Sequence, residues 1–144
     1  MSALMLADGR AELLPEKGAV SLRAGLGLLE RVVIDQHFTE RHRLARLLSV
    51  VAQNPLLYGV GIDENTALQV TPGAGIEVIG EGAVTVLDGH SMVCNVADVG
   101  RRGTPEMIGV QLHLLPSGSS YTPQQAPPAL QAFLHTMTIR STPQ

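Results

Sequence analysis

His37 closes the run Val32-Val33-Ile34-Asp35-Gln36-His37, and Glu64 closes the next apolar run, Leu57-Tyr58-Gly59-Val60-Gly61-Ile62-Asp63-Glu64. An imidazole that titrates near neutrality and is held by a carboxylate is the general base of nucleophilic hydrolases, because the carboxylate selects one tautomer and stabilises the imidazolium. Two other readings of these residues stay open: a structural histidine bonded to backbone, and a metal site built from Asp35, His37 and Glu64. Arg41, Arg43 and Arg46 follow closely. Their planar forks suit carboxylates, although charges at this spacing also suit a solvated helix face. His42, His90, His113 and His135 show no ligand spacing, and Cys94, the sole cysteine, stands outside any CxxC. No GxGxxG, P-loop, HExxH or GxSxG motif occurs. Ser2, Ser21, Ser49, Ser91, Ser117, Ser119, Ser120 and Ser141 sit in no strand-to-helix turn of the kind a nucleophile needs.

The elements that must position these residues can be read from apolar spacing. Val32 to Gln36 is a continuous apolar run of buried-strand type. Thr39 is an expected N-cap with Glu40 at the positive helix end, and Leu44, Leu47, Leu48 and Val51 recur at helical spacing until Asn54-Pro55. That predicts a helix of roughly 14 residues, about 21 Å long, which matches a six-residue strand and can return the chain to its start. Leu57 to Ile62 is then a second buried strand, parallel to the first. Ligands in open α/β sheets bind beyond the carboxyl ends of the strands, so His37 and Glu64 are expected to share that rim.

Before the first strand, Met1 to Ala7 reads as a short apolar segment and Asp8 to Arg23 as loop. After Glu64, the runs Ala67 to Val70, Ile76 to Ile79 and Ala83 to Leu87 are separated by Thr71-Pro72-Gly73 and Gly80-Glu81-Gly82, which predicts antiparallel hairpins. A loop with Arg101-Arg102-Gly103 precedes a strand from Val110 to Leu115. Pro127-Pro128 starts a helix over Ala129 to Met137, with Leu130, Phe133, Leu134 and Met137 on one face.

A length of 144 residues is that of one domain, and 44% hydrophobic with 16% charged residues fits a globular chain. Ten basic against thirteen acidic residues gives −3, a field that attracts neither nucleic acid nor an anionic membrane. Lys17 is the only lysine, so the positive charge is almost all arginine. No run approaches the ~18 apolar residues of a membrane span, and no basic leader with an apolar core opens the chain. The expected setting is cytoplasmic.

Taken together, Gly25-Leu26-Gly27-Leu28-Leu29, Val33-Ile34-Asp35-Gln36-His37-Phe38, the Arg41/Arg43/Leu44/Arg46/Leu47 segment, Asn54-Pro55, Gly61-Ile62-Asp63-Glu64-Asn65-Thr66-Ala67 and Gly80-Glu81-Gly82-Ala83-Val84-Thr85-Val86 resemble the cyanophycinase family, as does Gly109 to Pro116. The resemblance implies a Ser-His-Glu serine exopeptidase that hydrolyses cyanophycin, a poly-aspartate backbone bearing arginine, to β-aspartyl-arginine dipeptides. It further implies an α/β fold similar to class I glutamine amidotransferases (flavodoxin-like), of which this chain is the C-terminal part with antiparallel hairpins at one edge. In those terms His37 is the general base, Glu64 its orienting acid, and Asp35, Gln36, Arg41, Arg43 and Arg46 line or support the substrate pocket. No cofactor is expected. The expected partners are cyanophycin or an aspartyl-arginine peptide, together with a second copy or a serine-bearing segment.

Two departures stand out. His42 and Ala45 replace glycine-like positions of the family's arginine segment. The family's nucleophilic serine lies in a Gly-Thr-Ser-Ala-Gly-Ala turn that would fall just before Met1, and Met1-Ser2-Ala3-Leu4-Met5 resembles the helix after it. The expectation is therefore a half-site whose serine lies outside this chain. A non-catalytic homologue that binds a partner through its arginines, or an aspartyl dipeptidase-like hydrolase, is the competing reading.

Overall fold

The computed structural model describes residues 2–10 and 13–138. Its centre is a four-stranded mixed sheet, and all four of its strands arise where the apolar runs predict them, within a residue at each end. β3 (Val32–Gln36) and β4 (Tyr58–Ile62) lie parallel, in a register that pairs Val32 with Tyr58 and Gln36 with Ile62. Helix α1 (Leu44–Gln53) connects them. β7 (Ala83–Asp88) pairs antiparallel with β4, and β10 (Gln111–Pro116) antiparallel with β7, giving the order β10-β7-β4-β3.

The other strands form smaller sheets. β5 (Thr66–Thr71) and β6 (Gly75–Gly80) make the expected hairpin, extended by β11 (Ser120–Tyr121). β6 and β7 do not continue the meander. Gly80, at φ 116°, turns the chain out of the small sheet so that β7 enters the large one. A side chain there would run into the Asn65 carbonyl, which is why only glycine fits. β8 (Val93–Cys94) and β9 (Met107–Ile108) form a short ribbon.

Two expectations are corrected. The segment before β3 is neither helix nor loop but a hairpin, β1 (Leu4–Gly9) against β2 (Val20–Ala24). Leu4 and Leu6, and across from them Val20 and Leu22, alternate half-buried with exposed neighbours, and period 2 selects strand over helix. Met1 lies outside the described residues. The helix α1 is also shorter than predicted. Thr39 to Arg43 forms turns, with His42 in the left-handed region at φ 49°, so helical geometry begins only at Leu44 and Thr39 caps nothing. Ten residues span about 15 Å; the turns on either side complete the return to the start of β4.

The large sheet is covered on both faces. Leu47 and Val51 of α1 pack with Leu87 and Phe38 on one. On the other, Val32, Tyr58, Val60, Val84, Val86 and Leu115 meet Ile76 and Val78 of β6. They also meet Leu130, Phe133, Leu134 and Met137 of α2 (Pro128–Thr138), whose predicted apolar face is the buried one. Each such fully buried side chain contributes about 1.5–3 kcal/mol. No helix among the described residues is long and apolar enough to cross a membrane.

Gly61 lets the chain after β3 fold back over β4. A Cβ there would stand 2.3 Å from the Phe38 ring, which is itself 4% exposed. Gly61→Ala is expected to cost about 1–3 kcal/mol through overpacking, read as a lower urea midpoint. Tyr58, buried against Phe133 and tilted over His90 at 4.6 Å, has a phenol pushed above its ordinary 10.0 by burial and by the Asp88 carboxylate. The folded chain therefore holds this proton more tightly than the unfolded chain. The resulting stability is complete below the ordinary value and is lost as pH rises through the raised one. Tyr58→Phe should remove that share of the alkaline loss in a series of urea midpoints taken at increasing pH.

Candidate functional site

Because β3 and β4 are parallel and in register, Gln36 and Ile62 end side by side and the chain leaves both strands at one rim. His37 takes φ 51°, a left-handed conformation that sends its ring sideways along the rim. Its Nδ1 lies 2.8 Å from Glu64 Oε1. An ionised carboxylate only accepts, so Nδ1 carries the proton and Nε2 is left as a base. Both side chains are about half exposed, and such a pair contributes at most about 1 kcal/mol. Left-handed backbone at a non-glycine residue costs on the order of 1 kcal/mol or more. The arrangement is therefore not there for stability.

The loops carrying the pair are stitched together. Phe38 N–H donates to the Ile62 carbonyl, Thr39 N–H to Asp63 Oδ1, and Glu64 N–H to Glu40 Oε1. The second Asp63 oxygen accepts Ala83 N–H, while Thr66 Oγ1 donates to the Glu64 carbonyl. Asp63 and Glu40 were not legible as site residues. Two adjacent acids after a strand look alike in sequence, and Glu40 looks like a helix-end acid until the helix is seen to start later.

Asp35, within β3, is 2% exposed. Arg46 grips it side-on, with Nε 2.9 Å from Oδ2 and Nη2 on Oδ1, and Arg43 Nη1 lies 3.0 Å from Oδ1. Arg43 also donates to the Gln36 carbonyl. Two arginine charges on one buried carboxylate leave a local excess of one positive charge. Neither of the two is a solvated surface charge, since their side chains are only 18% and 14% exposed. Arg41 sits apart, exposed in the turn before α1, and does not line the cavity. The structure thus joins His37 to Glu64 and Asp35 to Arg43 and Arg46. It does not gather Asp35, His37 and Glu64 around one point, and no three metal-ligating side chains cluster among the described residues.

Both pairs open on a cavity of about 1100 Å³, which Gln36, Arg43, Arg46, Asp63, Asn65 and Thr66 also line. Its lining also includes the apolar side chains of Ile34, Ile62, Leu68, Val70 and Met137. Two hydroxyls reach its lining and both are engaged: Ser2 Oγ donates to the Leu4 carbonyl, and Thr66 Oγ1 donates to Glu64 and accepts Gly82 N–H. Among the described residues, no hydroxyl or thiol is hydrogen-bonded to His37 Nε2.

No family profile matches the chain. Over 118 residues, 81% of its length, it is 38% identical to a cyanophycinase of Geminocystis herdmanii, 37% identical to one of Synechococcus elongatus and 35% identical to one of Trichormus variabilis. The matches cover 43%, 37% and 40% of those proteins, so the chain spans about two fifths of the length of the curated relatives it matches.

Removing the charge on Asp35 would leave two largely buried guanidinium groups without their counter-charge. Asp35→Asn is expected to cost about 3 kcal/mol, whereas Arg46→Met, which leaves Asp35 paired to Arg43, should cost less. Urea unfolding of the two variants checks the order.

Proposed function

We propose that this chain, cyanophycinase-like over 118 of its 144 residues, carries the His37 general base and the Glu64 orienting carboxylate of a serine-type peptidase acting on cyanophycin. The observation that carries this reading is the 2.8 Å contact between Nδ1 and Oε1 at the shared strand rim, with Nε2 free of any described hydroxyl. In this reading a serine hydroxyl on a segment other than the described residues gives its proton to Nε2 as it attacks the scissile carbonyl. Glu64 stabilises the imidazolium that forms, and His37 returns the proton to the leaving amine. The local positive excess of Arg43 and Arg46 over Asp35 suits an aspartyl carboxylate of the substrate, and Gln36 supplies amide hydrogen bonds at the mouth.

The same reading takes the parallel β3–β4 pair, with its crossover helix and antiparallel neighbours, as the C-terminal part of a class I glutamine amidotransferase-like sheet. Cytoplasmic action and assembly with a second copy or with the serine-bearing segment belong to it as well. Arg41, exposed at the mouth of the turn, is assigned to longer-range attraction of the acidic polymer rather than to the pocket wall.

The test supplies a polypeptide bearing the Gly-Thr-Ser-Ala-Gly-Ala turn in trans and measures release of β-aspartyl-arginine. Cleavage is expected, with Glu64→Gln lowering kcat by up to about 10⁴-fold and His37→Ala by at least as much. Cleavage that His37→Ala leaves unchanged would overturn the reading. Calorimetric binding of the polymer without turnover in any mixture would favour a non-catalytic binding protein instead.

A further inference from the structure

We infer that Glu40 and Asp63 are positioning residues that hold the His37 imidazole and the Glu64 carboxylate in their productive register; this rests on the reading of His37 as the general base. The dyad spans two loops from different strands, and its own hydrogen bond is half exposed. Water competes for such a contact, so keeping it formed depends on how firmly the two loops are held together. What fixes the loops is a reciprocal exchange. An acid of the first loop, Glu40, takes the N–H of Glu64 at 3.1 Å, and an acid of the second, Asp63, takes the N–H of Thr39 at 3.1 Å. His37 and Glu64 are therefore each flanked by a residue tied to the opposite loop.

Asp63 does more than join two loops. Its other oxygen accepts Ala83 N–H at 3.0 Å, which anchors the rim to the first residue of β7. Gly82 lies so close that an added Cβ would stand 2.7 Å from the Asp63 Cβ, so the carboxylate is boxed in by backbone. The Thr66 hydroxyl clamps the Glu64 carbonyl from the other side, at 2.9 Å. Because the Glu64 N–H and C=O are both bonded to side chains, neither peptide group beside Glu64 can rotate without breaking a hydrogen bond. The carboxylate is thereby kept pointing at Nδ1. On the histidine side, the left-handed φ of His37 is held in place by the Phe38 and Thr39 amides bonded across to the β4 end. Charge-assisted hydrogen bonds of this kind are the strong ones, and small displacements at a reacting group are costly.

The chain as it stands can test this without a nucleophile. ¹⁵N-labelled histidine, observed by long-range proton–nitrogen NMR at alkaline pH, reports which ring nitrogen of His37 is protonated; its signal is identified by its absence in His37→Ala. The expected result is a dominant Nδ1–H form. It should shift toward Nε2–H in Glu64→Ala, which removes the acceptor for Nδ1–H, and in Asp63→Asn and Glu40→Ala. Glu40→Gln, which keeps an oxygen acceptor for Glu64 N–H, should restore the native form. Glu40 is on an exposed turn, so its variants keep the question answerable where Asp63→Asn loosens the fold, and circular dichroism monitors that. A His37 tautomer unmoved by Asp63→Asn and Glu40→Ala, but altered by Glu64→Ala, overturns the positioning role and leaves the general-base reading standing. A tautomer unmoved even by Glu64→Ala overturns that reading itself.

Discussion

The parallel pairing of Val32–Gln36 with Tyr58–Ile62 is the constraint from which the site follows. Parallel strands in register end at one level, and here the residues beyond both ends are an imidazole and a carboxylate. An antiparallel arrangement would have put them at opposite rims, some 17–20 Å apart for strands of this length. The parallel arrangement depends in turn on α1 and its flanking turns, which carry the chain from one end of the sheet back to the other. Leu47 and Val51, wholly buried against the sheet, fix the helix there.

The two ionic groups at this rim have opposite physical characters. Asp35 with Arg43 and Arg46 is buried, multiply bonded and costly to break, so it acts as a rigid, charged wall. His37 with Glu64 is half exposed and contributes little to stability, yet it is held by strained backbone and by hydrogen bonds from neighbouring loops. The first is closed off from water, and the second lies open at the rim. One segment supplies both because Asp35 lies inside β3, turned toward the arginines, whereas His37 lies just past its end, where left-handed backbone breaks the strand's alternation.

The comparisons and the geometry bear on different parts of the chain's character. Identity of 35–38% over 118 residues relates it to cyanophycinases about twice its length. At the rim His37 and Glu64 pair with each other, and both hydroxyls that line the cavity are engaged elsewhere among the described residues. The cavity, lined by both polar and apolar side chains, lies beside β3, an edge strand of the sheet.

Much of this was legible in the residues themselves. The β3 bounds, the parallel crossover, the β5–β6 hairpin, the buried face of α2 and the convergence of His37 and Glu64 all follow from apolar runs, turn residues and strand length, which are local signals. The remainder depended on contacts distant in sequence. Period-2 alternation in Leu4–Gly9 and Val20–Ala24 is short and weak, and it becomes strand only when the two segments find each other. The start of α1 was set not by Thr39, a good cap in isolation, but by the left-handed backbone at His42, which keeps the segment before Leu44 in turns. That same shift separated Arg41 from Arg43 and Arg46, three residues that look equivalent in the sequence. Residue types and their local spacing thus determined which groups could do chemistry and which rim they would reach. Only the tertiary structure decided which of them touch, because hydrogen bonds to buried or strand-end carboxylates depend on loops whose paths no local propensity specifies.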